Sequence, residues 1–251
     1  MKVTYLYHSG YLVETESAIL LFDYFKGELP AFPAHKPLIV FASHKHPDHF
    51  DFRIFDLKSH PGGVYYVFGS DIRLSDNYLE RKGVDPVVKE RIHRLPSHRE
   101  LELPLQGGES LKIRTLKSTD EGVAFYVTVE NKRIYHAGDL NWWHWEGEVE
   151  SFNATQEKVY QEEMGSLQSW LQEEGAVLDV AFVPLDPRLQ DAYCYGMDAF
   201  LSSVPVKEVY PMHMWEDYGV IDRYLNHCEQ DEEKKAWIPL IKKHIFFTKE
   251  T

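Results

Sequence analysis

Two cysteines, Cys194 and Cys228, are all that this 251-residue chain carries. They are too few for a disulfide framework and are not spaced as a CxxC zinc pair, so a reduced, cytoplasmic setting is expected. No apolar run reaches the roughly 18–20 residues that a membrane-spanning helix requires. The start, "MKVTYLYHSGYLVET", alternates apolar and polar residues and lacks the basic beginning, apolar stretch and cleavage site of a signal peptide. No membrane partner is expected. Basic charge is also scarce: 27 Lys and Arg face 40 Asp and Glu, a formal net charge of −13. That balance opposes a nucleic-acid partner, because affinity for a phosphate backbone comes largely from Lys and Arg displacing counterions. "RIFDLK" and "EKKAWIPLIKKH" hold local basic charge and read as solvated helix faces. Internal repeats and low-complexity linkers are lacking too, and composition specifies no oligomeric state.

What is present is a large core: 43% of residues are hydrophobic and 14% aromatic, enough for a folded globular chain. The first half reads as short strands. "KVTYLYH" and "YLVETESAILLFDYF" suggest a meander whose second strand ends near Asp23. "PLIVFAS" is the continuous apolar run of a strand covered on both faces, and "HFDFRIFDLKSH" suits a helix beginning at Asp51. "VYYVFG", "LELPL", "LKIRTLK", "VAFYVTVE" and "RIYHAG" continue the strand pattern. Between about 141 and 175 the pattern changes to an aromatic loop, "NWWHWEGE", and then a helix whose Val159, Met164, Leu167, Trp170 and Leu171 recur at helical spacing. "LDVAFVPLD", a helix from about Gly196 to Ser203, "VKEVYPMH" and a helical tail complete the chain. Two packed sheets with helices outside are predicted, in one α/β (α+β) domain over 1–251 with a helical insertion at about 141–175.

The stretch "FASHKHPDHFD" crowds three histidines and two aspartates behind the run "PLIVFAS". His44 and His46 emerge on the same side of an extended or turning backbone, because side chains alternate with a period of two. They can converge on one ion. Pro47 favours a turn, which brings Asp48 and His49 close to the first pair. "YHAGDLN" puts Asp139 just past a strand, after a glycine that permits a tight turn, and "VYPMHMW" puts His213 in the same kind of position. Each alone reads as a cap or a core histidine; together they read as a metal site.

The ordered set "SHKHPDHFD", "IYHAGD" and "VYPMH" resembles the metallo-β-lactamase fold superfamily. "YHSGYLVET", "LLFDYF" and "RIYHAGDLN" are similar to its branch of metal-dependent hydrolases that includes the ascorbate phosphate lactonases. The resemblance implies a four-layer αββα sandwich with metal bound at one edge of the sheets. It further implies that His44 and His46 bind a first metal, Asp48, His49 and His213 a second, and that Asp139 bridges them.

The chain departs from that pattern where the family places a further histidine upstream of the bridging aspartate. Here the segment is "LKSTDEGVAFYV", with Ser118, Thr119 and Asp120. Asp120 has two readings, a carboxylate replacing the missing ligand or a turn aspartate in "STDEG". The expected cofactor is a divalent metal, zinc in the first place with manganese or iron as alternatives, one or two ions per chain. Two cations can hold a water, lower its pKa and polarise a substrate oxygen. Asp48 is the candidate proton acceptor.

Around these, Asp23 at the end of "ILLF" could orient a ligand histidine, and His8 in "YLYHSG" could face the site. His136 and His144 lie nearby in sequence, as neighbours of the ligands or as structural residues. Trp142, Trp143 and Trp145 either line a pocket or pack the inserted helix. Arg188 either clamps a phosphate or carboxylate or forms an ion pair, and Cys194 is read as inert. The predicted function is a metal-dependent hydrolase acting on a small ester, lactone or phosphodiester. The alternatives are a non-catalytic or mononuclear metal-binding protein of the same fold and an iron-dependent oxidoreductase.

Overall fold

The computed structural model describes residues 1–242, and its first sheet begins with an antiparallel hairpin of β1 (Lys2–Tyr7) and β2 (Gly10–Glu14). The segment expected to form one long second strand is two strands. Thr15 interrupts it, its Oγ1 accepting from Ala18 N at 3.1 Å, and β3 (Ile19–Phe22) then pairs antiparallel with β2. β4 (Leu38–Ala42) follows. A 3-10 helix over Phe52–Ser59 stands where a helix from Asp51 was predicted, with the Asp51 side chain capping it. Beyond it come β5 (Val64–Gly69), the short helices α1 (Asp76–Arg81) and α2 (Pro86–Lys89), and β6 (Ile92–Leu95). The sheet order is β1 to β6 in sequence, with β3 through β6 parallel.

The second sheet comprises β7 (Glu100–Pro104), β8 (Ser110–Lys117), β9 (Val123–Val129) and β10 (Lys132–His136), an antiparallel meander. The predicted helix is α3 (Glu150–Glu173). Its inward face carries Tyr160, Met164, Leu167 and Leu171; Val159 is only half-buried, one residue off that face. β11 (Leu178–Pro184), α4 (Tyr195–Ser203) and β12 (Val206–Met212) follow, and the two strands extend the sheet in parallel beyond β10. The helical tail is α5 (Gly219–Glu229) and a 3-10 helix over Lys234–Leu240. Lys243 and His244 of its basic segment lie outside the described residues.

The sheets stack face to face, and the alternation along β3 and β4 explains why. Leu20, Phe22, Ile39 and Phe41 enter the central core with the second sheet, whereas Ile19, Leu21, Leu38, Val40 and Ala42 enter an outer core with Ile54, Phe55, Leu79 and Val88. Both faces are covered, so these strands carry no polar alternation. Phe41 meets Phe125 with ring centres 5.2 Å apart, and Tyr11 meets Phe182 at 4.2 Å across the sandwich. On the far side α3 and α4 add Met164, Leu167, Met197 and Phe200 to the central core. The result is a four-layer αββα sandwich, and the carboxyl ends of β3, β4, β10, β11 and β12 open on one edge.

Candidate metal centre

Five strands, β3, β4, β10, β11 and β12, each release a polar residue at that edge. Asp23 follows β3, the segment from Ser43 to His49 follows β4, Asp139 follows β10, Asp186 follows β11 and His213 follows β12, while His8 sits in the β1–β2 turn. The backbone there is constrained. His8, Asp23 and His213 have φ values of 54°, 43° and 63°, a left-handed region that non-glycine residues rarely occupy and that clusters at functional sites. Gly138 takes φ of 53°, and a Cβ on it would lie 2.7 Å from the Ser43 Cβ. Only glycine lets the turn before Asp139 press against the strand that bears His44.

Two groups of donors result. His44, His46 and Asp139 form one, and His8, Asp48, His49 and His213 the other; within each group the donor atoms lie within 4.8 Å of one another. Asp139 stands between them. Its Oδ2 is 3.4 Å from His44 Nε2, and its Oδ1 is 3.1 Å from His49 Nε2 and 3.4 Å from His213 Nε2. His49 Nε2, Asp139 Oδ1 and His8 Nε2 are buried yet have no hydrogen-bond partner. Close approach without hydrogen-bond alignment is what donors aimed at a shared centre display, since a buried polar atom otherwise finds a partner. The donor set of imidazoles and carboxylates suits zinc, manganese or iron. The residues therefore fit a metal ion, and fit two.

Carboxylates and a hydroxyl hold the imidazoles from behind. Asp23 accepts from Ser43 N and Ser43 Oγ at 2.7 Å each and meets His49 Nδ1 at 2.7 Å. Ser43 Oγ is 2.9 Å from His44 Nδ1, and Asp186 Oδ2 is 2.9 Å from His213 Nδ1. In each case Nδ1 is engaged and Nε2 is left for the centre. Burial pulls His8 and His44 down to about 4, so both imidazoles are neutral and able to ligate. Burial would raise Asp139, but His49, His213 and His44 outweigh it and hold its carboxyl well below the usual range. For His49, burial lowers the pKa, and the carboxylates of Asp139 and Asp23 overcome it and raise it. A proton on His49 and a cation among these donors are alternatives, because each puts positive charge between the carboxylates. Asp48 is held below its ordinary value as well: burial raises it, and His8 and His49 prevail.

Asp120 stands outside both groups. Its Oδ2 is 3.8 Å from His46 Nδ1, with half of the side chain exposed. Thr119 braces the turn beside the site, its Oγ1 lying 2.7 Å from the Asn141 carbonyl and 3.2 Å from that of Asp139. His136 is buried with Nε2 2.9 Å from Ser9 O and Nδ1 accepting from Gly138 N, a structural residue.

The aromatic loop splits by parity. Trp143 donates from Nε1 to the Asp139 carbonyl at 2.9 Å and packs 5.5 Å from the His213 ring, and Trp145 shares its pocket. Trp142 and His144, two candidates for the site, point away: both pack on Tyr195, at 5.6 and 5.5 Å, because alternate side chains of an extended segment leave on opposite sides. Asp186 and Ser43 escaped the sequence reading. The signal for Asp186 was the one that pointed to Asp23, an aspartate ending an apolar strand run.

A third group, Cys194, Asp198 and His227, differs in kind. Lys234 Nζ lies 2.7 Å from Asp198 Oδ2 and 2.9 Å from His227 Nε2, so an ammonium already supplies the positive charge there.

Residues 2–146 match the model of the beta-lactamase superfamily domain. A UPF0173 metal-dependent hydrolase of Desulforamulus reducens is 31% identical over 150 residues, a match spanning 55% of this chain and 62% of that protein. Among solved structures, a protein of Parabacteroides distasonis provisionally named a metal-dependent hydrolase aligns with a TM-score of 0.58 at 14% identity, over 96% of this chain and 90% of its own. Igni18, a metallo hydrolase from the archaeon Ignicoccus hospitalis, aligns with a TM-score of 0.57 at 14% identity, over 99% and 95%. At such identities the two structures speak to the fold, which is the metallo-β-lactamase-like sandwich. Among the described residues no helix is long and apolar enough to cross a membrane.

Proposed function

The chain belongs to the beta-lactamase superfamily domain family, and on that premise we propose that it is a metal-dependent hydrolase of a small ester, lactone or phosphodiester. The observation that carries the reading is the convergence of unpartnered buried donors on Asp139 from two sides. We assign His44, His46 and Asp139 to one divalent cation and Asp48, His49, His213 and Asp139 to another, with His8 beside the second. Zinc is the proposed metal. A cation bound by these residues would supply Lewis acidity, able to polarise a carbonyl or phosphoryl oxygen and to lower the pKa of a water. Asp48 is the one carboxylate of its group with a partly open face, its side chain 24% exposed. Held below its ordinary value and so ionised at neutral pH, it would be the proton acceptor for a nucleophilic water at the site. Trp143, packed on His213 and bonded to the Asp139 carbonyl, braces both residues. The resemblance of "YHSGYLVET", "LLFDYF" and "RIYHAGDLN" to the ascorbate phosphate lactonases is the ground for proposing a cyclic ester among the candidate substrates.

The test is metal content and turnover together. Protein purified without chelator or histidine tag should carry two ions per chain by elemental analysis and cleave a member of an ester, lactone and phosphodiester panel. His46→Ala should lose metal and turnover while keeping its circular dichroism. Full activity in that variant would overturn the mechanism.

A further inference from the structure

Asp139 and His213 open on a cavity of about 130 Å³, lined by Asp120 and Thr119 as well as by Arg188, Gln156, Trp143 and Trp145, so Arg188 is its one cationic side chain. That is room for a small acid rather than a polymer. Arg188 is unlike a mobile surface arginine. Its backbone N and its Nε bond Asp186 Oδ1 at 2.9 and 3.0 Å, and Nη2 bonds Oδ2 of the same buried carboxylate. Its guanidinium carbon lies 4.4 Å from the ring centre of Trp215 and 5.5 Å from that of Trp145. Two indoles and one carboxylate thus fix the plane of the fork.

The hydrogen count leaves capacity. A guanidinium has five N–H groups. Nε and one Nη2 hydrogen go to Asp186, and for the remaining three no protein acceptor exists among the described residues. The side chain is 43% exposed at the cavity. In the same cavity the Oε1 of Gln156 is buried without a partner, an acceptor free for a donor group of the ligand and not for its anionic end.

The surroundings are built to hold this geometry. Asn153 of α3 accepts from Trp145 N and donates to Trp145 O, both at 3.0 Å, which anchors one indole. Trp215 has φ of 50°, and Gln190, just after Arg188, has φ of 52° with ψ of −121°. Strained backbone of this kind persists where the surrounding structure requires it.

We propose that Arg188 is a substrate-binding residue that clamps an anionic group, carboxylate or phosphate, placed beside the bond to be cleaved. The inference rests on the hydrolase reading and narrows it: the substrates are small acids, bound through the free edge of the guanidinium in a bidentate pairing. Asp186 then serves both sides, orienting the metal-facing His213 and the substrate-facing Arg188. A neutral substrate would fill the cavity and leave the fork unpaired.

The test has two arms on the metal-loaded protein. In the first, p-nitrophenyl acetate is compared with the p-nitrophenyl hemiester of succinic acid, for wild type, Arg188→Gln and Arg188→Lys. Wild type should favour the acidic ester at least tenfold in kcat/KM. Arg188→Gln should erase the ratio through KM, and Arg188→Lys should retain part of it. In the second, indole fluorescence is followed during titration with inorganic phosphate and, separately, with succinate. The stacked Trp145 and Trp215 should report a saturable change in wild type that is lost in Arg188→Gln; the more effective anion identifies the group. Turnover of both esters without preference, or anion binding intact in Arg188→Gln, overturns the clamp and leaves the hydrolase standing. A fluorescence response lost in Arg188→Gln without turnover of either ester supports the clamp and counts against esters as the hydrolase's substrates; absence of turnover across the lactone and phosphodiester panel as well counts against the hydrolase.

Discussion

Asp186 Oδ2 lies 2.9 Å from His213 Nδ1, and through that contact a fully buried carboxylate decides which imidazole nitrogen faces Asp139. With the proton on Nδ1, Nε2 is a lone-pair donor to a metal. Asp186→Asn can keep a hydrogen bond but not the charge that stabilises this tautomer. The expected outcome is a 10–100-fold loss of metal affinity with the fold intact, measured by competition with a chromogenic chelator. Unchanged affinity would make Asp186 a purely structural residue.

Asp120→Ala tests the segment that departs from the family pattern. Asp120 lies 3.8 Å from His46 Nδ1 but outside the three-donor group. Elemental analysis should find the metal content of wild type, since His44, His46 and Asp139 remain. Loss of about one ion per chain would make Asp120 a ligand.

Gly138→Ala should damage both stability and metal retention. The added Cβ would stand 2.7 Å from the Ser43 Cβ at a φ of 53°, so either the turn before Asp139 or the His44 strand must move. Strain of this type costs about 1–3 kcal/mol. A urea titration reads the first effect and elemental analysis the second; a wild-type midpoint would refute the tight packing.

Cys194 and Cys228 should be inert in the folded protein. Both are buried, and burial pushes each thiol up to about 11, so the thiolate fraction at pH 8 is on the order of one in a thousand. Iodoacetamide should label neither in native protein and both in urea, counted by mass spectrometry.

Asp179 ties the second sheet together. Its carboxylate accepts from Arg133 N at 3.0 Å and from Lys207 Nζ at 2.8 Å. Burial raises its pKa, but Lys207 and the Arg133 amide outweigh that and hold it below the ordinary 3.8. A depressed carboxyl stabilises the fold above its unfolded pKa, and that contribution disappears as pH falls through the lower folded value. Lys207 is largely exposed, so the effect is under about 1 kcal/mol. The melting-temperature gap between wild type and Asp179→Asn should be present at pH 7 and close below the folded value.

Short-range pattern carried much of this protein. The apolar runs of β4, β9 and β11, and the alternation of β8, specify strands by local hydrophobic pattern, and two sheets with outer helices follow from their order. The bunching of His44, His46, Asp48 and His49 is legible for the same reason, since neighbours in sequence need only one turn to share a centre. Distant pairings are different. That Asp186 supports His213, that His8 from the first hairpin stands beside Asp48, and that Arg188 lies between Trp145 and Trp215 depend on strands adjacent only in the folded sheets. Parity decided the aromatic loop, where Trp143 turns to the metal side and Trp142 to Tyr195 according to how the backbone leaves β10. Spacing along the chain therefore determined most strands, α3 and the main donor cluster, while α1, α2, β6 and the break between β2 and β3 were not legible in it. The tertiary fold alone decided which carboxylates orient the imidazoles and which side chains reach the cavity, because those contacts are set by sheet register and loop direction.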